Sequence, residues 1–441
     1  MNLKTRKTTD FFGSEYCDYS SYDNLRKIAS LVDGQKNAAR KILWYTLQKN
    51  QKNEIKVSQL NSKVAEDTEY LHGDMSGVIV NLAKDYTGTN NINLMYPEGN
   101  FGTAVIPEAS APRYIYTYGT DELFDIFTKD DNEILEHQIF EGHKIEPKFM
   151  LPNLPMLLVN GAEGISSGYA QKILPRNPEE IKKYLKYRLS KDAPKKPFQN
   201  KPFYRGFTGT IEPGAEAKQW EIYGIFKRVA NKVHITELPI GYSLKSYIKV
   251  LNKLEDDKII IAYEDNTDKT FNFTVQFNRK YLDSLSDEKI IDILKLKKKV
   301  TENYTVMDQF NVVKNFDSIS EIFNEYYDVK IDYLHKRKEH LLKTITQDIR
   351  ISVSKYMFIK AIQDGTLIIT KRPTEDIIAD LDKMDKVIKL DDKYDYLLNM
   401  SIRSLTKERM QKLLESIKNL KLDLDTLNKT SVQKMWLDEL K

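Results

Sequence analysis

Two apolar ladders in the last third of the chain constrain its shape more than any other feature. Ile319, Ile322, Tyr326, Val329 and Tyr333 recur at steps of three and four residues, and Met410, Leu413, Ile417, Leu420, Leu424 and Leu427 repeat that rhythm. The spacing puts each set on one stripe of a long helix, as in the seam of a coiled coil. Pro373 and a further helical set around residues 377–388 separate the two ladders. The expected arrangement over residues 313–441 is therefore antiparallel coiled-coil arms carrying a small helical dimer gate. Two amphipathic helices in an ordinary bundle would show the same short ladders.

The chain has 441 residues, which leaves room ahead of the ladders for further domains of ~100–200 residues each. Residues 22–50 read as two helical segments broken at Asp33-Gly34, where glycine allows a sharp turn. Residues 75–84 resume a helical period with Asp74 as N-cap. Pro97, Gly99, Gly102, Pro107 and Pro112 then punctuate a stretch of loops and short strands. This order predicts a winged-helix domain over 21–155, behind an N-terminal arm at 1–20. Beyond Pro152, residues 207–212, 220–226, 232–238 and 269–277 are rich in β-branched and aromatic side chains, with Phe271, Phe273, Val275 and Phe277 alternating. They predict a mixed α/β tower domain over 156–312, and the whole is an α+β multidomain chain.

Composition excludes several function classes. The single cysteine, Cys17, makes no internal disulfide and no multi-cysteine zinc site. The longest apolar runs, such as Met156-Leu-Leu-Val159, fall far short of the ~20 residues of a spanning helix. No apolar core follows Met1-Asn-Leu-Lys-Thr-Arg-Lys7, so a cytoplasmic protein without a membrane partner is expected. Net charge is only +4, yet residues 181–205 hold Lys182, Lys183, Lys186, Arg188, Lys191, Lys195, Lys196, Lys201 and Arg205 against Asp192 alone. Interleaved with Tyr184, Tyr187, Phe198, Phe203 and Tyr204, this run suits a phosphate backbone; a solvated lysine-rich face would look the same.

The six histidines include no pair at the i, i+4 spacing of a helical metal site, and the chain carries no phosphate-binding P-loop. What remains is Arg113-Tyr114. A phenol has a pKa of about 10, so a tyrosine nucleophile needs activation, and a neighbouring guanidinium can stabilise a phenolate or a phosphoryl oxygen.

Several segments, read in order, give that pair a context. They are Val32-Asp-Gly-Gln-Lys36 with Arg40-Lys-Ile-Leu-Trp44, Tyr70-Leu-His-Gly-Asp74, Glu98-Gly-Asn-Phe-Gly-Thr103, Ala111-Pro-Arg-Tyr-Ile-Tyr-Thr117, Leu154-Pro-Met-Leu-Leu-Val-Asn-Gly161 with Gly164-Ile165, and Ser404-Leu-Thr-Lys-Glu-Arg409. Together they resemble the breakage-reunion half of type IIA DNA topoisomerases. Gly88-Thr-Asn-Asn-Ile-Asn93 and Phe203-Tyr-Arg-Gly-Phe-Thr-Gly-Thr210 are closer in wording to the eukaryotic enzymes than to gyrase. A free-standing chain of this length is similar to the medium subunit of T-even-type bacteriophage topoisomerases.

The resemblance implies roles. Tyr114 would attack a backbone phosphate to give a 5′-phosphotyrosine, and Arg113 and Arg40 would hold the charge that builds on phosphorus. His72 would hydrogen-bond near the scissile phosphate. Ile165 would wedge between base steps, and Lys36, Lys41, Lys182, Lys183 and Arg205 would meet double-stranded DNA. Met75 and Ile79 occupy the drug-contact positions at which bacterial enzymes anchor metal-bridged quinolones through a serine and an acidic residue. The family's Lys-Pro is Lys36-Asn37 here, and the residue before His-Gly is Leu71.

The family also implies Mg²⁺ on an acidic Toprim domain, and ATP on an ATPase. The sequence holds no Glu-Gly-Asp-Ser block, and so no Asp-x-Asp pair accompanying one. The expectation is an ATP-hydrolysing type II topoisomerase, active only as a homodimer within an A2B2 heterotetramer with a large ATPase/Toprim partner. With no wrapping domain expected after Lys441, relaxation and decatenation are favoured over supercoiling. The competing readings are a non-catalytic winged-helix/coiled-coil architectural DNA-binding dimer and, more weakly, a tyrosine recombinase.

Overall fold

The structure, a computed structural model, describes residues 7–190 and 196–440. Lys191, Asp192 and Lys195 of the basic run, and residues 1–6 of the expected arm, lie outside the described residues. The chain forms two compact units. One runs to Lys330 and takes the chain back at Glu439; the other spans Ile331–Asp438. The boundaries expected at 155 and 312 both fall inside the first unit.

In the first unit the Glu15–Lys27 and Asn37–Gln48 helices flank the expected break. Gly34 turns there with φ +68°, and a Cβ on it would stand 2.4 Å from the Leu157 backbone nitrogen, so only glycine allows this close approach. The Val57–Asp67 helix buries Val57, Leu60 and Val64 at steps of three and four. The Ser76–Ala83 helix follows; its N-cap is Met75 and not the expected Asp74, whose Oδ1 accepts the Ser76 amide at 3.0 Å from one residue earlier. Ile55–Lys56 pairs antiparallel with Tyr116–Thr117, Ile55 opposite Thr117.

The β-rich middle contains a four-stranded antiparallel sheet in the order Ala262–Asp265, Phe273–Gln276, Lys232–Glu237, Ile225–Val229. Phe271, Phe273, Val275 and Phe277 are all buried in its core, as their alternation predicts. The amphipathic Leu244–Asp256 helix covers that core and starts on a Ser243/Ser246 capping box. A second sheet orders Lys297–Thr301, Gln219–Tyr223 and Thr210–Pro213. Between these pieces Glu302 is buried and fully engaged. It accepts from the Arg176 guanidinium, the Trp220 indole at 2.8 Å, the Tyr304 hydroxyl at 2.9 Å and the Leu174 amide at 2.7 Å.

The first apolar ladder is not a coiled-coil seam. It opens the 45-residue Ile319–Gln363 helix, and its members Ile322, Tyr326 and Val329 are buried within the first unit. There the Tyr326 hydroxyl donates to Pro152 O at 2.8 Å, and Phe323 stacks on Phe198 at 4.9 Å. A three-four period reports that one helix face is covered and does not report what covers it.

In the second unit the later part of this helix runs opposite to the Lys407–Lys429 helix. Lys338 Nζ donates to the carbonyls of Asn428 and Thr430, and Gln363 donates to Leu405 O. Leu413 and Ile417 are the buried members of the second ladder. The set between the helices gathers Phe358, Leu367, Ile377, Leu381, Tyr394 and Leu397 into a separate apolar cluster.

Candidate active site and nucleic-acid interface

Tyr114 lies in the turn that leads into the Tyr116–Thr117 strand, its amide donating to Ala111 O at 2.9 Å. The Val57 amide bonds Ile115 O at 3.0 Å, and Tyr116 exchanges both backbone hydrogen bonds with Glu98, at 2.9 and 3.0 Å. These bonds hold Ile115 inward at 1% exposure and leave its neighbour Tyr114 66% exposed. The Arg113 guanidinium lies 5.0 Å from the Tyr114 ring centroid. The contact is a cation–π one and sets a positive charge beside the phenol.

His72 lies in a loop tied down on its C-terminal side. Gly73 takes φ +90°, the Met75 amide donates to Asn61 Oδ1 at 2.8 Å, and Ser76 Oγ donates to Asp74 Oδ1 at 2.7 Å. The imidazole Nε2 is hydrogen-bonded to the Tyr22 hydroxyl, and the Tyr70 ring stands edge-on at 5.7 Å. Desolvation first, then the charges of Arg26 and Lys41, hold His72 below its ordinary pKa. Arg26 itself reaches the Tyr70 hydroxyl at 3.5 Å.

Arg40 and Lys41 are corrections to the sequence reading. The Arg40 side chain is only 4% exposed, and it clamps the buried Asp33 carboxylate from Nε at 2.6 Å and from an Nη at 3.1 Å, with a further bond to Gln35 O. Lys41 Nζ is buried between Glu146 and Thr68 O, both at 2.8 Å. Both cations face inward because the helix that carries them buries most of its surface. Neither cationic side chain is exposed. The guanidinium that stands with His72 is Arg26, which sequence reasoning missed. Its position at the C-terminal end of the Glu15–Lys27 helix, just before the Val32-Asp-Gly turn, was the available signal.

Ile165 is 76% exposed on the hairpin of Ala162–Ser166 and Tyr169–Ile173. That hairpin is bolted to the Glu15–Lys27 helix: Ser167 donates to Asp23 through its amide at 2.9 Å and its hydroxyl at 3.0 Å, and Ser166 Oγ donates to Asn24 at 2.6 Å. Lys36 Nζ donates to Glu163 O at 2.7 Å on the same hairpin, and burial lowers its pKa. In the basic run Lys183 is exposed, Lys182 pairs with Glu179 at 3.3 Å, and exposed Arg205 donates to Asp85 O at 2.7 Å.

Met75 and Ile79, the drug-contact positions, are fully buried. Met75 is the N-cap of the Ser76–Ala83 helix and Ile79 lies within it, and both side chains pack into the core. Among the described residues no group of three or more His, Cys, Asp or Glu side chains could hold a metal ion, and no helix is long and apolar enough to cross a membrane.

The family of DNA gyrase/topoisomerase IV A-subunits matches residues 26–441. The mitochondrial DNA topoisomerase 2 of Dictyostelium discoideum is 33% identical over 453 aligned residues, covering 100% of this chain and 35% of that protein. The DNA topoisomerase 2 of Acanthamoeba polyphaga mimivirus is 31% identical, covering 98% and 40%. Among solved structures, the Plasmodium falciparum topoisomerase II DNA-binding, cleavage and re-ligation domain superposes with a TM-score of 0.88 at 31% identity, covering 98% of this chain and 63% of that one. The chain thus spans well under half the length of these curated relatives.

Proposed function

Because the chain belongs to the DNA gyrase/topoisomerase IV A-subunit family, we propose that it is the strand-breaking and resealing component of a type IIA topoisomerase. Tyr114 Oη attacks a backbone phosphorus, the bond from phosphorus to the 3′ oxygen breaks, and a 5′-phosphotyrosine and a 3′-hydroxyl result. The phenol loses its proton and the 3′ oxygen gains one, so the reverse reaction reseals the strand at no cost in ATP. Two copies cut both strands, and a second duplex passes through the break.

The observation that carries this reading is the pinned turn that exposes Tyr114 beside the Arg113 guanidinium. An architectural DNA-binding dimer has no need of that pair. The solved domain it superposes on is described as a DNA-binding, cleavage and re-ligation domain. His72 and Arg26 are the further groups that hold phosphate oxygens, Arg26 taking the role expected of Arg40. Ile165 is the wedge, and Lys36, Lys183 and Arg205 track the DNA backbone.

When bound, Mg²⁺ supplies charge stabilisation at phosphoryl and leaving oxygens, and we assign it, with ATP, to an ATPase/Toprim partner. The assembly is then A2B2, organised like T-even-type bacteriophage enzymes, and works wherever its DNA lies, which is the cytoplasm in our reading. The exposed Phe12, Tyr16 and Tyr19 of the N-terminal helices support a partner that covers them.

The test is direct. With partner, Mg²⁺ and supercoiled plasmid, the wild type should leave linear DNA bound to protein after denaturation. Tyr114→Phe should bind DNA equally and leave none. The purified chain with Mg²⁺ alone should bind duplex in a salt-dependent way without cutting it; cutting by the chain alone would refute the partner assignment.

A further inference from the structure

The Tyr22 hydroxyl is hydrogen-bonded to Nε2 of His72. Tyr22 comes from the Glu15–Lys27 helix and His72 from a loop fifty residues on, so the contact is tertiary rather than local. The Tyr22 and His72 rings are 5.6 Å apart, and the Arg26 guanidinium lies 5.8 Å from the Tyr22 centroid. We infer that Tyr22 is a positioning residue, which sets the His72 tautomer and ring angle so that Nδ1–H is the atom offered to a phosphate oxygen.

Donor strength sets the direction of this hydrogen bond. Desolvation first, then the charges of Arg26 and Lys41, favour the neutral form of His72, which carries a single N–H. A phenolic O–H is the stronger donor of the pair, so Tyr22 donates and Nε2 accepts. The proton then resides on Nδ1, and rotation of the ring is blocked by Tyr22 on Nε2 and by the edge-on Tyr70 ring. A histidine left to itself in a loop would sample both tautomers, and only part of the population could donate in the required direction.

This inference rests on the proposed cleavage function for its consequence, though not for its geometry, and the test separates the two. ¹⁵N-histidine spectra of the full chain, with His72→Gln to assign the His72 resonance, should show the Nδ1–H tautomer in the wild type. In Tyr22→Phe that resonance should move to the other tautomer or to a mixture. Tyr70→Phe, which keeps the donor to Nε2, should leave it in place. In the complete assembly Tyr22→Phe should lower the cleavage rate about tenfold, the scale on which second-layer hydrogen bonds act, at unchanged DNA affinity. An unmoved tautomer in Tyr22→Phe, an equal shift in Tyr70→Phe, or a loss confined to DNA affinity would each overturn the assignment. Wild-type cleavage in the same assay reports separately on the proposed function.

Discussion

At the residue scale, the difference between Arg40 and Arg26 comes from burial. Asp33 is 0% exposed and Arg40 answers its charge from two nitrogens. Removing one member of such a pair leaves a charge stranded in the interior, which costs about 3–5 kcal/mol. Arg40→Ala should therefore lower the melting temperature sharply. Arg26→Ala should leave melting nearly unchanged and reduce the covalent DNA complex; a thermal melt beside a cleavage assay separates the two. Met75 and Ile79 follow the same logic. A thioether and a hydrocarbon, both buried, cannot orient the waters of a drug-bound metal. Quinolone trapping of cleavage should be at least tenfold weaker than for an enzyme with both anchors, about 1.4 kcal/mol or more. Met75→Ser alone should not restore it, as a cleavage titration would show. Ile79→Asp should unfold the helix by burying a carboxylate.

At the element scale, the Ile165 hairpin shows how a wedge is braced. Gly164 lies so close to the Glu15–Lys27 helix that a Cβ on it would be 2.2 Å from Lys27 O, a backbone atom that cannot turn aside. Gly164→Ala should push the hairpin off the helix, and DNA bending measured by end-to-end fluorescence transfer should fall along with that of Ile165→Ala. Asp23 supplies the second brace, and its hydrogen bond with Lys27, then its bonds from Ser167, hold its pKa below the ordinary carboxylate value against the opposing effect of burial. The folded pKa is the lower one. Its contribution is therefore fully present above the unfolded value of about 3.9 and is lost as pH falls through the folded value. Amide exchange at Ser167 should be protected at neutral pH and lose that extra protection in strong acid in the wild type, with Asp23→Asn unprotected throughout. Elements with alternation, such as Phe271 to Phe277, were legible in the sequence. Lys297–Thr301 was not, because its lysines read as a charged face although they mark an outer strand of its sheet. The break at Asp33-Gly34 was legible from glycine alone, whereas the inward turn of Arg40 and Lys41 depended on carboxylates at 33 and 146.

At the scale of the whole molecule, sequence motifs singled out Arg113-Tyr114, His72 and Ile165 by residue type and spacing. They could not place Tyr22 or Arg26 beside His72, since those contacts close over more than forty residues. Nor could they tell which ladder meets which partner. That distinction decides how the dimer gate is tested. Removing everything after residue 317 would strip Ile322, Phe323 and Tyr326 from the core of the first unit, together with the Glu439 carbonyl that Asn153 binds at 3.0 Å. A monomer obtained that way would report unfolding. Gln363 and Leu405 are joined by a hydrogen bond of 2.9 Å, so the two long helices can be linked there by a short flexible loop in place of residues 364–405. This excision removes Leu367, Ile377, Leu381, Tyr394 and Leu397 of the apolar cluster and leaves the first unit intact. If that cluster is the homodimer gate, sedimentation should find the full chain dimeric and the excised chain monomeric, with its melting otherwise preserved; a dimer that survives the excision would place the interface on the first unit instead.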